Sequence, residues 1–260
     1  MNTPQLRADG LIKNYGSTTA LAGVSLSIAA GESVAIMGAS GSGKTTLLHI
    51  LAGIVVPDAG TVQLATNAGV VTVSALNESA RSGLRRTEFG FVFQQGLLIP
   101  ELTAVENAAI PLMLNGMQRA AAQQHAASWL AALGLAGLED RRIGELSGGQ
   151  AQRVAIARAQ VAGASVVFAD EPTGALDSHT SAEVMDALIG STTDRGHTLV
   201  VVTHDEGVAA RCGRTVRLRD GRIVQTSTKV GTDGEMDYIE TAATDMQAGT
   251  AEQTTAGQAK

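Results

Sequence analysis

The chain has 260 residues, 44% of them hydrophobic, 17% charged and only 3% aromatic. That composition supports one large domain or two small ones around an aliphatic, alanine-rich core, and it excludes wholesale disorder. The formal net charge of −6, from 19 basic and 25 acidic residues, argues against binding to nucleic acid or an anionic membrane surface, because both need a basic footprint. A single cysteine, Cys212, rules out an intrachain disulfide and a cysteine-rich zinc site, and fits a reducing, cytoplasmic compartment. No apolar run reaches the roughly 18 residues of a membrane span, and Met1–Gly10 is polar, without the apolar segment of a leader. A role at a membrane would therefore require another chain to do the spanning.

In chain order, Gln5–Ile28 is short-period and rich in turns, which predicts an antiparallel edge, continued by Thr61–Leu64 and Val70–Val73. Ser33–Met37 reads as a short buried strand and Lys44–Ala52 as the helix that follows it. Residues from Leu97 to Leu138 lack strand signals and carry alanine-rich helical stretches, including Ala120–Leu133. They predict a helical subdomain, about residues 97–160, inserted into an α/β body and ending in the helix-like run Gln152–Val161. Ser165–Ala169 and Thr198–Thr203 are two more buried strands, with helix-like Thr180–Ile189 between them. Strands alternating with helices predict a mainly parallel sheet. Residues 1–225 would form one domain. Thr226–Lys260 changes character: six acidic residues (Asp233, Glu235, Asp237, Glu240, Asp245, Glu252) face only Lys229 and Lys260, with few apolar residues to bury. It predicts a disordered acidic tail.

Gly38-Ala39-Ser40-Gly41-Ser42-Gly43-Lys44-Thr45 fits G-x-x-x-x-G-K-[ST] between a strand and a helix. Its glycines let successive backbone N–H groups approach phosphate oxygens, and the helix beginning near Lys44 adds its positive end. Thr46, next in that first turn, is a further candidate contact to the nucleotide. Lys44 is the candidate contact to the outer phosphates and Thr45 the candidate Mg²⁺ ligand. The strand Val166–Ala169 runs into Asp170-Glu171. Strand ends of a parallel sheet open onto the ligand crevice, so Asp170 suits Mg²⁺ coordination and Glu171 suits polarising an attacking water. A phosphate loop by itself leaves kinases, GTPases, helicases and transport ATPases open.

Leu146-Ser147-Gly148-Gly149-Gln150 before a helix-like run narrows the choice. A serine and paired glycines at a helix start make a second anion cradle, more than one chain needs for one nucleotide, which suggests two copies closing around shared nucleotides. With these motifs the chain resembles the ATP-binding cassette (ABC) ATPases, the motor subunits of ABC transporters, over about residues 5–225. The resemblance implies a P-loop NTPase core and further roles. Tyr15 would stack on adenine, and Gln94, closing Phe91-Val92-Phe93-Gln94, would contact Mg²⁺ and the attacking water. Asp177, in Gly174-Ala175-Leu176-Asp177, would cross a dimer interface, and His204, in Val202-Thr203-His204-Asp205, would contact the γ-phosphate and orient the Glu171 site. It implies an ATP-dependent head-to-tail homodimer, in which Ser147, Gly148, Gly149 and Gln150 of one copy cover the ATP held by Lys44, Thr45 and Asp170 of the other.

The stretches Phe91–Gln94 with Leu97–Pro100, Leu102–Ala104, Glu106-Asn107 and Pro111-Leu112, and Ala169–Asp177, resemble the group serving lipoprotein release, macrolide export and antimicrobial-peptide resistance. That implies an integral-membrane permease with four spans and a large extracytoplasmic domain, received around Leu97–Leu114, and a peripheral place on the cytoplasmic face of the membrane. An importer subunit and a non-transport ABC ATPase are the alternatives. The segment Gln63–Asn77 is longer than the family's usual hairpin and lacks its Asp-Gly turn. The substrate lies outside what the sequence encodes.

Overall fold

The computed structural model describes residues 4–94, 97–232 and 235–242. Two sheets organise the chain. The smaller is antiparallel, in the order β2-β1-β4-β5, from β1 (Leu6–Tyr15), β2 (Thr18–Ile28), β4 (Ala59–Thr66) and β5 (Gly69–Thr72). The larger has the order β11-β10-β9-β3-β8-β7-β6. It comprises β3 (Ser33–Met37), β6 (Phe89–Phe93), β7 (Val166–Asp170), β8 (Thr198–Thr203), β9 (Arg214–Arg219), β10 (Arg222–Thr232) and β11 (Glu235–Ala242). Strands β9, β3, β8, β7 and β6 are parallel neighbours, while β10 and β11 add antiparallel pairs at one edge.

Alternation along the parallel strands sorts the core onto two faces. Val34, Ile36, Phe168, Val200 and Val202 point to one side. There they meet α1 (Lys44–Leu51) and the small sheet, through Leu47, Leu48, Leu51 and Leu6. Ala35, Met37, Val167, Ala169, Leu199 and Val201 point to the other, among α3 (Ala104–Leu114), α4 (Arg119–Ala132), α5 (Gly148–Gln160) and α6 (Ser178–Thr192). The expected strands and helices are therefore present, and α3, α4 and α5 lie between β6 and β7 as the inserted helical stretch requires.

Three features depart from the sequence expectations. A helix, α2 (Glu78–Thr87), follows the small sheet. Asn77 caps it by accepting from the Ala80 N–H at 2.9 Å, and Glu78 bridges to Arg81 and Arg85. The Gln63–Asn77 segment is not a long hairpin. Its turn is two residues wide, locked by Thr66, whose hydroxyl donates to the Gly69 carbonyl and accepts from the Ala68 N–H; the extra length becomes a short 3-10 turn (Val73–Ala75) leading into α2. Finally, the expectation of disorder from Thr226 onward is corrected for its first part. Strand β10 runs on to Thr232 and pairs with β11 from Gln225↔Ala242 to Thr232↔Glu235, because alternating Thr, Ser and Val suit a pleated strand despite the acidic charge. Residues 243–260 lie outside the described residues.

Candidate functional site

Four parallel strands deliver the chemistry at one edge of the large sheet. Each ends in a functional group: β3 in the loop from Gly38, β6 in Gln94, β7 in Asp170-Glu171, β8 in His204. The register brings these ends level, with Met37 opposite Thr203 and Phe93 opposite Asp170. A groove of about 670 Å³ lies there, lined by Thr18, Ala20, Ala39, Ser40, Gly41, Gly43, Lys44, Thr45, Thr46, Glu171 and His204.

The loop needs its glycines. A Cβ on Gly38 would stand 2.2 Å from the Leu218 carbonyl oxygen, and one on Gly43 2.3 Å from that of Ala20. Gly43 also has φ 101°, a left-handed conformation that other residues adopt only with strain. It is the N-cap of α1, so the helix opens directly onto the groove. Lys44 Nζ donates to the Gly38 and Ala39 carbonyls at 2.8 and 3.0 Å, which holds a buried ammonium on the loop. The Ser42 hydroxyl is buried without a hydrogen-bond partner, a cost a fold tolerates where a ligand supplies the partner. Glycines that admit no side chain, a cation, a helix start and an orphaned hydroxyl together fit a bound polyphosphate.

Beside the loop, Thr45 lies near the Asp170 carboxyl. Burial raises the Asp170 carboxyl above its ordinary value; His49 pulls it down, Glu171 pushes it further up, and Thr45 and Lys44 pull it down less strongly. A half-buried carboxylate raised by desolvation is primed to gain from a nearby cation.

Glu171 sits at φ 47°, a left-handed conformation unusual for a non-glycine residue. It is held there by its own N–H donating to the Val202 carbonyl at 2.8 Å and by the Gly174 N–H donating back to its carbonyl at 3.1 Å. The carboxylate is fixed at both oxygens. Oε1 lies 2.8 Å from His204 Nδ1, and Oε2 accepts from the Thr203 hydroxyl at 3.3 Å. An ionised carboxylate only accepts, so Nδ1 carries the proton of that pair.

The remaining expected positions are not part of the groove lining. Gln94 packs against Gly174, where a Cβ would stand 2.8 Å from the Gln94 amide nitrogen. Asp177 caps α6, accepting from the His179 and Thr180 N–H groups and the Thr180 hydroxyl, and these bonds hold its carboxyl below the ordinary range. Tyr15 is 51% exposed at the end of β1, with Lys13 Nζ 5.6 Å from its ring centre. It stands outside the groove lining, which Thr18 and Ala20 supply on that side. Ser147, Gly148, Gly149 and Gln150 are also outside that lining. They open α5 with a capping box, Ser147 accepting from the Gln150 N–H and Gln150 Oε1 from the Ser147 N–H. Gly149 is needed because a Cβ would stand 2.4 Å from Thr180 Cγ2, and one on Gly148 3.0 Å from Leu176 Cδ2.

The sequence placed Ser42 in the phosphate loop but not as a buried orphan, and Thr203 and Gly174 in quoted motifs but not as the second support of Glu171 and the seat of Gln94.

The profile of the family described as "ABC transporter" matches residues 21–174. The chain belongs to this family. The macrolide export ATP-binding/permease protein MacB of Chromobacterium violaceum is 44% identical over 231 residues, 87% of this chain but 35% of that protein. This chain thus spans about a third of the length of that relative. The lipoprotein-releasing system ATP-binding protein LolD of Geobacter metallireducens is 46% identical over 218 residues, 82% of this chain and 95% of LolD. Among solved structures, the dimeric ABC transporter cassette MJ0796 matches at TM-score 0.78 and 37% identity, covering 87% of this chain and all of the cassette. A post-hydrolysis dimer of the same cassette with ADP and Pi matches at 0.77 and 36% identity, over 87% of this chain and all of that one. The fold is that of an ABC cassette, and the chain is an ATPase of the ABC transporter family. No helix among the described residues is long and apolar enough to cross a membrane.

Proposed function

We propose that this ATPase drives an export or lipoprotein-release type of ABC transporter, acting as a head-to-tail dimer beneath a separate integral-membrane permease. The observation that carries the catalytic part is the Glu171 carboxylate, held by His204 Nδ1 and the Thr203 hydroxyl at the mouth of the groove formed by Lys44 and Thr45.

In this reading ATP lies with its phosphates on the loop from Gly38 to Thr46, taking the Ser42 hydroxyl and the Lys44 ammonium as partners, and its base toward Tyr15 and Thr18. Thr45 and Asp170, with Gln94, would hold Mg²⁺, which when bound supplies charge neutralisation on the phosphates. Glu171 accepts the proton of the attacking water. A carboxylate already oriented at both oxygens spends no freedom on reaching that geometry. His204 steadies Glu171 and stands beside the site of the transferred phosphate. Ser147 and Gly148 are exposed at the start of α5, outside the groove of their own chain, which suits a role over the partner's nucleotide; Gly149 and Gln150 sit behind them. Asp177 then lies near the junction of the two copies. Export rather than import is favoured by the relatives' printed roles, macrolide export and lipoprotein release.

The test is Glu171→Gln with ATP and Mg²⁺. Turnover should fall by about 10²–10⁴, the closed dimer should persist in sedimentation, and a four-span permease should co-purify from detergent-solubilised cells. Recovery of a many-span importer would move the function to uptake. Unaltered turnover would remove Glu171 as the base.

A further inference from the structure

We propose that Gln152 is a positioning residue for Gln94, so that α5 ties the Ser147 motif at its start to the chain segment that carries Gln94. This rests on the role given to Gln94 above.

Gln152 is 4% exposed and belongs to a helix whose buried neighbours are Val154, Ala155, Ile156 and Ala157. A buried amide costs free energy unless it is hydrogen-bonded. Gln152 meets that cost at one point: its Nε2 donates to the Phe93 carbonyl at 2.9 Å, across 59 residues of sequence. Phe93 is the last residue of β6, so the bond fixes the peptide that leads directly into Gln94. The same helix also holds the far side of this segment, where Arg158 Nη1 donates to the Leu97 carbonyl at 2.8 Å. Leu97 itself has φ 45°. The backbone around Gln94 is therefore gripped from α5 on both sides, and its side chain is seated against Gly174, two residues after Pro172 in the loop that follows Glu171. The placement of the Gln94 side chain against Gly174 depends on these grips, and a small misplacement of a reacting or water-holding group is enough to lower turnover by orders of magnitude.

Two variants approach Gln94 from different sides. Gln152→Met keeps length and apolar fit but removes the donor. Gly174→Ala leaves Gln152 untouched and pushes on the free end of the Gln94 side chain. The measurement is steady-state kcat and KM for ATP of the purified full chain with Mg²⁺, alone and combined with Gln94→Ala. Each variant should lower kcat about tenfold with KM for ATP within about twofold. Neither should lower kcat further when Gln94 is already alanine, because a positioning residue has nothing left to position. Equal losses with and without Gln94, or a rise in KM matching the fall in kcat, would overturn the proposal. If Gln94→Ala loses turnover while Gln152→Met and Gly174→Ala do not, the positioning role alone falls. If Gln94→Ala is itself silent, the role of Gln94 falls and the positioning with it.

Discussion

At the scale of single residues, this site holds groups in conditions that would be costly without nucleotide chemistry to perform. Asp170 is the clearest case. Its carboxyl is raised chiefly by desolvation, so ionisation is less favourable in the folded chain than in the unfolded one. The sign follows by linkage. Above the ordinary carboxylate range the charged group weakens the fold, and that penalty is relieved as pH falls through the raised value. Asp170→Asn, which removes the charge and keeps the size, should therefore leave the melting temperature in nucleotide-free, Mg²⁺-free buffer unchanged or higher at pH 7. Mg²⁺-dependent turnover should nonetheless be lost. A lower melting temperature together with intact turnover would contradict both parts. Gly149 shows the opposite economy, a residue chosen for what it lacks. A Cβ there meets Thr180 Cγ2 at 2.4 Å, although alanine inside a helix is otherwise favoured over glycine by about 1 kcal/mol. Gly149→Ala should lower the melting temperature, and Thr180→Ser should restore it. Serine removes the clashing methyl and keeps the hydroxyl that donates to Asp177 Oδ2. Differential scanning of the single and double variants reads this directly.

Elements differ in how far their physics is written locally. The strand β3, the phosphate loop and α1 were legible because an apolar run, a glycine loop and a helix start follow one another with short-range rules. Glu171 and His204 were legible as residue types at strand ends, and the family resemblance linked them; the direct contact could not be read from the residues alone, since 33 positions separate them and the β7–β8 register brings them together. Ser147 could be read as the start of a helix, and the resemblance put it over the other copy's nucleotide, in keeping with its place outside the groove lining of its own chain. Helix α2 escaped notice although Asn77 and Glu78 supply cap and first-turn acid, because it buries no residue fully and lacks an apolar stripe. Asn107 shows how a quoted residue can hide its structural work. Fully buried, it accepts from the Ile99 N–H and donates to the carbonyls of Ile99, Leu102 and Thr103, folding the loop that enters α3. Asn107→Leu takes the partner from the Ile99 N–H and the Leu102 carbonyl, while the Ile99 and Thr103 carbonyls keep the backbone N–H groups of residues 102 and 107; it should cost about 1–3 kcal/mol, read as a shift in the urea midpoint. The capping box of α3, between Thr103 and Glu106, predicts a smaller loss of about 1 kcal/mol for Thr103→Ala.

At the scale of the whole molecule, one concavity away from the nucleotide groove has a composition that constrains what can fill it. A pocket of about 330 Å³ lies between α2, β6, α3 and α5, with Phe89, Phe91, Phe93 and Pro111 among its lining. Leu97 and Leu114 stand on its rim, 60% and 67% exposed. Arg85, Arg86 and Arg158 also line it, and no carboxylate does. Arg85 is fixed by donating to the Gly53 carbonyl and to Glu78, while Arg86 is exposed. An apolar floor under a cationic rim suits a short amphipathic helix that lays its apolar face down and carries an acidic side chain at its edge. The cytoplasmic segment of the proposed permease is the partner this describes. If so, Arg86→Glu should weaken permease recovery more than Arg86→Gln, because reversal adds repulsion where neutralisation only removes attraction. The gap between the two variants should narrow as ionic strength rises, since a rim charge is open to screening within about 8–10 Å. Equal recovery of both variants at low salt would mean that the apolar floor alone holds the partner, and the acidic side chain would have to be given up.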